Sequence, residues 1–238
     1  MDTVLQLGEV AVHVTLKEIK NVHLGVYPPS GRVRIAAPAR MKMDAIRSLA
    51  ISKLAWIRRQ QRTFRDQERE AAREYVSGES HHLWGRRYLL SVEEREAPMR
   101  VDVRHRRLHL QIRPGTSTDR RAALLDAWYR EKIRGALVSL LAKWQKIVGR
   151  APKQIFVRRM RTKWGGCNPG SRNIRLNTEL AKKPKECLEY ILVHELAHLR
   201  EPTHNARFSQ FMDQVMPGWE IRRRELNRLP LRYEAWTY

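Results

Sequence analysis

The sequence predicts an α+β fold: an antiparallel β-rich N-terminal part with one long helix over residues 1–115, and a C-terminal part with a long helix, a small sheet and a histidine-bearing helix over 116–238. Three patterns carry this. Apolar residues alternate with polar ones near the start, a Leu/Trp stripe recurs at helical spacing after Ser117, and an aliphatic helix after Pro184 carries H-E-x-x-H.

Val10, Val12, Val14 and Leu16 fall on one face of a strand; Val22, Leu24 and Val26, then Val33 and Ile35, mark two more. Pro28-Pro29-Ser30-Gly31 is the turn between the last two, so the region reads as an antiparallel meander. Pro38 ends it. Asp44 is a candidate N-cap for a single helix carrying Ile46, Leu49, Ala50, Leu54, Ile57, Gln61 and Phe64. The stretch Arg65 to Glu74 is nearly all charged and extends that helix or links it onward. Over 81–112, Leu83-Trp84-Gly85-Arg86-Arg87-Tyr88 reads as a hairpin corner, and Val101, Val103, Leu108, Leu110 and Ile112 alternate with charged residues.

Ser117-Thr118-Asp119 opens the long helix, Leu124, Leu125, Trp128, Ile133, Leu137, Leu140, Leu141, Trp144 and Val148 form its core stripe, and Gly149 stops it. Ile155 and Val157 begin a strand, Trp164-Gly165-Gly166 interrupts, and Asn173 to Asn177 returns as a strand. Pro184 suits the first turn of the next helix and Pro202 ends it. Two short helices follow at 205–216 and 218–228.

Composition limits the function classes. The chain has 238 residues, 42% of them hydrophobic, enough for a folded core. No run of about 18 apolar residues exists, so no membrane span is expected. The start lacks a basic segment followed by an apolar one, and Cys167 and Cys187 form no CxxC pair. A disulfide framework and a Cys-rich zinc site are excluded, and a cytoplasmic location is the default expectation. Against 25 acidic residues stand 47 Lys and Arg, a net charge of +22. Such a surface attracts phosphate, so non-specific nucleic acid is a possible partner; a solvated basic face is the bland alternative.

The chemistry concentrates in Ile191-Leu192-Val193-His194-Glu195-Leu196-Ala197-His198-Leu199. On a helix, His194 and His198 project from one face a turn apart, where two imidazoles can share one Zn²⁺. Glu195 lies about 100° round from His194, placed to act on water as a general base without being a ligand. Leu188, Ile191, Leu192, Leu196 and Leu199 form an arc that packs the helix. A catalytic zinc usually takes three protein ligands. His204, which the break at Pro202 lets turn back, is the better candidate for the third, and Glu201 is its rival. Cys187 is about 10 Å along the axis from His194, too far to close a structural site, whereas Cys167 could approach from another strand. Hydrolysis by one zinc per chain, of a peptide or of another amide, is the reading; its rival class is a nucleic-acid-binding protein whose metal site is secondary.

Three segments resemble the YgjP-like zinc metallopeptidases, relatives of the SprT-like and minigluzincin-type proteins. They are His194-Glu195-Leu196-Ala197-His198-Leu199 with His204-Asn205 and Phe208, Arg161-Thr162-Lys163-Trp164-Gly165-Gly166-Cys167, and Asn173-Ile174-Arg175-Leu176-Asn177. Trp56-Ile57 and the corner at Gly85 extend the likeness. Gly166 departs from the family's pattern, which carries Ser there. The resemblance implies a zincin-like catalytic domain over 116–238, a peptide or protein substrate, Glu195 as catalytic base, and His204 rather than Glu201 as third ligand. Peptidase action on DNA-bound proteins follows only by analogy with the SprT-like relatives. A second electrophile is expected; His109, Tyr190 and Arg161 are the candidates.

Overall fold

The computed structural model describes residues 2–27, 30–66, 73–160 and 163–228. They form a mixed α+β chain in two compact units, one before and one after the segment near residue 70. The turn expected at Pro28-Pro29 and the residues Arg161 and Thr162 lie outside the described residues.

The first unit is a four-stranded sheet with two helices. Its strands are β1 (Asp2–Leu7), β2 (Val10–Lys17), β3 (His23–Tyr27) and β4 (Arg32–Pro38), in the order β1-β2-β4-β3. The expected meander is corrected here: β4 lies between β2 and β3 and runs parallel to β2, with Val12 opposite Val33 and Val14 opposite Ile35. Both strands are central, and this places their alternating valines and Ile35 together in the core. The single helix also divides, into α1 (Met43–Ser52) and α2 (Leu54–Asp66). Lys53 breaks it: its N–H reaches both Leu49 O and Ala50 O at 3.2 Å, a tightened turn. Asp44 sits in the first turn, and Lys42 is the cap residue. Ile46, Ala50 and Ile57 close the core.

The second unit repeats that strand order with β5 (Ser80–Leu83), β6 (Arg86–Glu94), β7 (Arg100–Arg104) and β8 (Arg107–Ile112), in the order β5-β6-β8-β7 with β6 and β8 parallel. The corner at Trp84-Gly85 has φ of 52° and 76°, the two-residue hairpin turn that the right-handed strand twist favours. Helix α3 (Thr118–Val148) starts where expected, with Ser117 Oγ accepting from Arg120 N at 3.4 Å, and ends on Gly149 at φ 71°. Leu125, Tyr129 and Ile133 of α3 share one core with Leu90, Leu108, Leu110 and Ile112 of the sheet. The compact units therefore divide near residue 70, whereas the sequence places its boundary at 115/116, between a sheet and the helix that covers it.

A three-stranded sheet follows: β9 (Gln154–Arg158), β10 (Gly165–Asn168) and β11 (Asn173–Asn177), in the order β10-β11-β9. The glycines expected to interrupt are themselves the edge strand β10, antiparallel to β11. The 3-10 turn Thr178–Lys182 is buried, with the Lys182 ammonium 2.7 Å from Glu179 to offset the loss of water around both charges. It leads through Pro184 into α4 (Lys185–Ala197), whose residues are buried on nearly every side, as a core helix requires. Then come α5 (Ala206–Val215) and α6 (Trp219–Arg228), close to the two helices expected. Among the described residues no helix is long and apolar enough to cross a membrane.

Candidate metal centre

Helix α4 carries Tyr190, His194 and, just past its end, His198 on one face, four residues apart. The helix stops earlier than Pro202. His198 keeps helical dihedrals, then Leu199 N bonds Leu196 O and Arg200 N bonds Ala197 O, so the chain turns sharply before the proline. Asn205 caps α5, its Oδ1 accepting from Phe208 N at 3.0 Å, and this sets His204 immediately ahead of the helix. The three imidazoles meet: His204 Nε2 is 3.0 Å from His194 Nε2 and 3.1 Å from His198 Nε2. Phe208 lies under them, its ring 4.6 to 5.0 Å from all three.

The arrangement fits a metal. Two nitrogens held about 2.0–2.1 Å from a tetrahedral ion stand roughly 3.3 Å apart, close to the separations here. His198 Nδ1 lies 3.1 Å from Glu201 O; donating there leaves Nε2 as the ligating atom. Burial holds the His194 imidazole down at about 3, helped by His198, His204 and Arg223, so its lone pair is free for a metal. Among the described residues these three histidines are the group whose donor atoms converge, within 4.8 Å of one another. Glu201 is turned elsewhere: its Oε1 accepts from Asn205 Nδ2 at 3.1 Å and Thr203 Oγ1 at 3.4 Å, fastening the loop. Neither Glu201 nor Cys167 joins the group, so among the described residues no fourth protein ligand closes the site.

Beside the histidines opens a cleft of about 750 Å³ lined by Lys163, Gly165, Tyr190, Glu195, Trp219 and Arg223, among others. Glu195 is 5% exposed. Burial pushes its carboxyl up to about 8, opposed by Lys163, so a cation at the histidines would draw it back down. Gly165 abuts it: a Cβ there would sit 2.6 Å from Glu195 Oε1 and 2.8 Å from Ile191 Cγ2. Only glycine lets β10 pass so close. Gly166 has open space at its Cβ position, so the missing hydroxyl is not a matter of room.

Of the three candidate electrophiles, Tyr190 lines the cleft and His109, on β8, does not; Arg161 lies outside the described residues. Burial pushes the Tyr190 phenol up to about 12, which keeps it a hydrogen-bond donor. Its ring stacks on Trp219, 6.3 Å between centroids. Sequence reasoning missed Trp219 and Arg223. The helical spacing of 218–228 marks a helix, but which of its faces meets α4 is a long-range fact.

Three imidazoles that converge beside a buried carboxylate, in an open cleft, make the donor set of a metal-dependent hydrolase. The pattern of the YgjP-like metallopeptidase domain matches residues 20–229, so the chain belongs to the YgjP-like metallopeptidase family. No curated protein sequence matches it. One solved structure is similar in part: the metallopeptidase zymogen of Pyrococcus abyssi abylysin, 25% identical over 37% of this chain and 89% of that one, with a TM-score of 0.35.

Proposed function

We propose that this chain is a zinc-dependent metallopeptidase with a zincin-like catalytic part. His194, His198 and His204 hold one zinc per chain and Glu195 serves as general base. The convergence of the three Nε2 atoms beside Glu195 carries the reading. Zinc there would supply Lewis acidity, making water more acidic and polarising a carbonyl. Glu195 takes the proton from the attacking water and returns it to the leaving amine, its carboxylate lying close against the backbone at Gly165. Tyr190 donates its phenol proton in a hydrogen bond to the developing oxyanion. Among the described strands β10 is an edge of its sheet, where an extended peptide would pair. The two thiols are unpaired, which suits a reducing compartment such as the cytoplasm.

The test is metal analysis together with proteolysis profiling. Glu195→Gln is expected to keep the zinc and the fold while hydrolysis is abolished. His198→Ala and His204→Ala are expected to lose the metal, and Glu201→Ala to retain it. Full zinc in His204→Ala removes that ligand from the set, and equal turnover by Glu195→Gln removes the base.

A second reading rests on charge. Helix α2 presents exposed Arg58, Arg62 and Arg65 along one face, within a chain of net charge +22. Phosphate contacts of that kind bind nucleic acid with little sequence preference and weaken steeply with salt. Absence of binding at low salt leaves only a solvated face.

A further inference from the structure

The cleft is electrostatically one-sided. Among the described residues that line it, Glu195 is the only acid, while Lys163 and Arg223 are both cationic. Neighbouring arginines on α6 divide their roles. Arg222 donates to Glu189 Oε2 at 2.9 Å, and Glu189 Oε1 accepts from Lys143 and from Trp144 Nε1, so this carboxylate ties α3, α4 and α6 together. Arg223, one residue on, has neither an ion pair nor a hydrogen bond among the described residues and faces the cleft. Its charge is felt at His194 and His204, and that of Lys163 at Glu195.

Neither cation rides on loose chain. Asn177 Nδ2 donates to Lys163 O and Asn177 N to Trp164 O, both at 2.9 Å, which fixes the backbone that carries Lys163. Helix α6 is seated by the buried Trp219 and Leu226, and Trp219 Nε1 donates to Asp213 Oδ1 at 2.9 Å. Two anchored cations therefore flank the histidine triad and the base, and among the described lining residues Glu195 is the only acid set against them.

We propose that the cleft selects peptides that carry a carboxylate close to the scissile bond, with Arg223 and Lys163 as the residues that determine this preference. The inference rests on the cleft being the peptidase site. A carboxylate in the half-enclosed cleft forms a charge-assisted pair with either cation, a neutral residue leaves both unpaired, and a basic residue is repelled. The carboxylate comes from an acidic side chain or from the substrate's own C-terminus.

The experiment uses zinc-loaded Glu195→Gln protein, which binds without cutting, and one dye-labelled peptide scaffold in four forms. These are neutral with both ends capped, neutral with a free C-terminus, capped with one Glu, and capped with one Lys. At physiological salt the form with the matching carboxylate is expected to bind about tenfold tighter than the capped neutral form, and the Lys form weaker; which acidic form wins identifies the source. Arg223→Gln and Lys163→Gln are each expected to cut that preference about three- to fivefold, with Arg223→Lys recovering most of it. Arg224→Gln, exposed on the same helix but outside the cleft lining, is expected to leave it unchanged. Equal affinity for all four forms overturns the proposal, as does an equal loss in Arg224→Gln, which would make the preference one of general surface charge. A neutral peptide hydroxamate separates the two levels. If it binds the zinc-loaded protein while the acid preference is absent, selectivity fails and the peptidase site stands. If it does not bind while the acid preference persists, the metal reading fails and the anion selectivity stands.

Discussion

The two four-stranded sheets have the same strand order and different employment. In each, two hairpins join so that their second strands run parallel, and a helix follows. The first sheet closes its core with its own helices through Ile46, Ala50 and Ile57. The second shares its core with α3 and also grips the approach to α4: Trp84 N donates to Ala181 O at 2.8 Å and Gly85 N to Lys182 O at 3.2 Å. The difference lies at the tips of the leading hairpins. Gly8 and Gly85 both have positive φ, 62° and 76°. A Cβ on Gly8 meets nothing within 4 Å, whereas one on Gly85 meets Pro184 Cγ at 3.0 Å, at the start of α4. One topology thus serves as a closed module in one place and as a buttress in another, according to what its turn touches.

Metal removal should split the units most widely. A ligand that binds only the native state stabilises it by about 4 kcal/mol at a thousandfold excess over Kd. Chelation is therefore expected to lower hydrogen-exchange protection in α4 by about that amount and to leave β2 and β4 unchanged. Equal loss in both units would mean that they unfold together.

Acid should divide them next. Burial, then Arg73, holds the His81 imidazole of β5 down at about 4; Glu79 pulls the other way and Lys182 adds to the lowering. An unfolded histidine binds its proton near 6.5. The neutral ring therefore stabilises the second unit fully above about pH 6.5, and that contribution drains away as the pH falls towards 4, an effect of order 3 kcal/mol. Thermal melts of His81→Gln across that window should show a flatter pH dependence in the second unit than wild type; an unchanged slope would remove His81 as the cause.

The smallest effect tests the tips themselves. Gly8→Ala and Gly85→Ala each force a non-glycine residue into the left-handed region, costing about 1 kcal/mol. Gly85→Ala adds the collision with Pro184 and should cost about 2 kcal/mol, with zinc affinity reduced as well. Unaltered zinc affinity in Gly85→Ala would break the link between the hairpin and α4.

Local chemistry was legible in the sequence. Ser117, Gly149, Pro184 and the Trp84-Gly85 corner announce their elements because caps and turns are decided within a few residues. The helix that carries His194 was readable for the same reason, and the sharp turn near Pro202 made His204 readable too. Strand order was not legible. Val33 and Ile35 alternate alike whether β4 pairs with β3 alone or also beside β2, and only the shared core decides. Gly165 and Gly166 look like a break because neither carries a side chain to advertise a strand: at Gly165 the closeness of Glu195 leaves no room for one, while the position at Gly166 is open. The edge between the units was hidden too, since periodicity tells which face of α3 is buried but not which sheet buries it. Arg223 went unseen among many other arginines until the pairing of Arg222 with Glu189 set it apart.

The loop from His198 to Asn205 is fastened by its own bonds: His198 Nδ1 with Glu201 O, and the Glu201 carboxylate with Thr203 and Asn205. The proposed ligand set, held this way, would need little chain ordering on taking up an ion, unlike small metal domains that fold only around their zinc. Calorimetric titration of the apoprotein should accordingly find a small heat-capacity change, because almost no apolar surface remains to be buried at that moment.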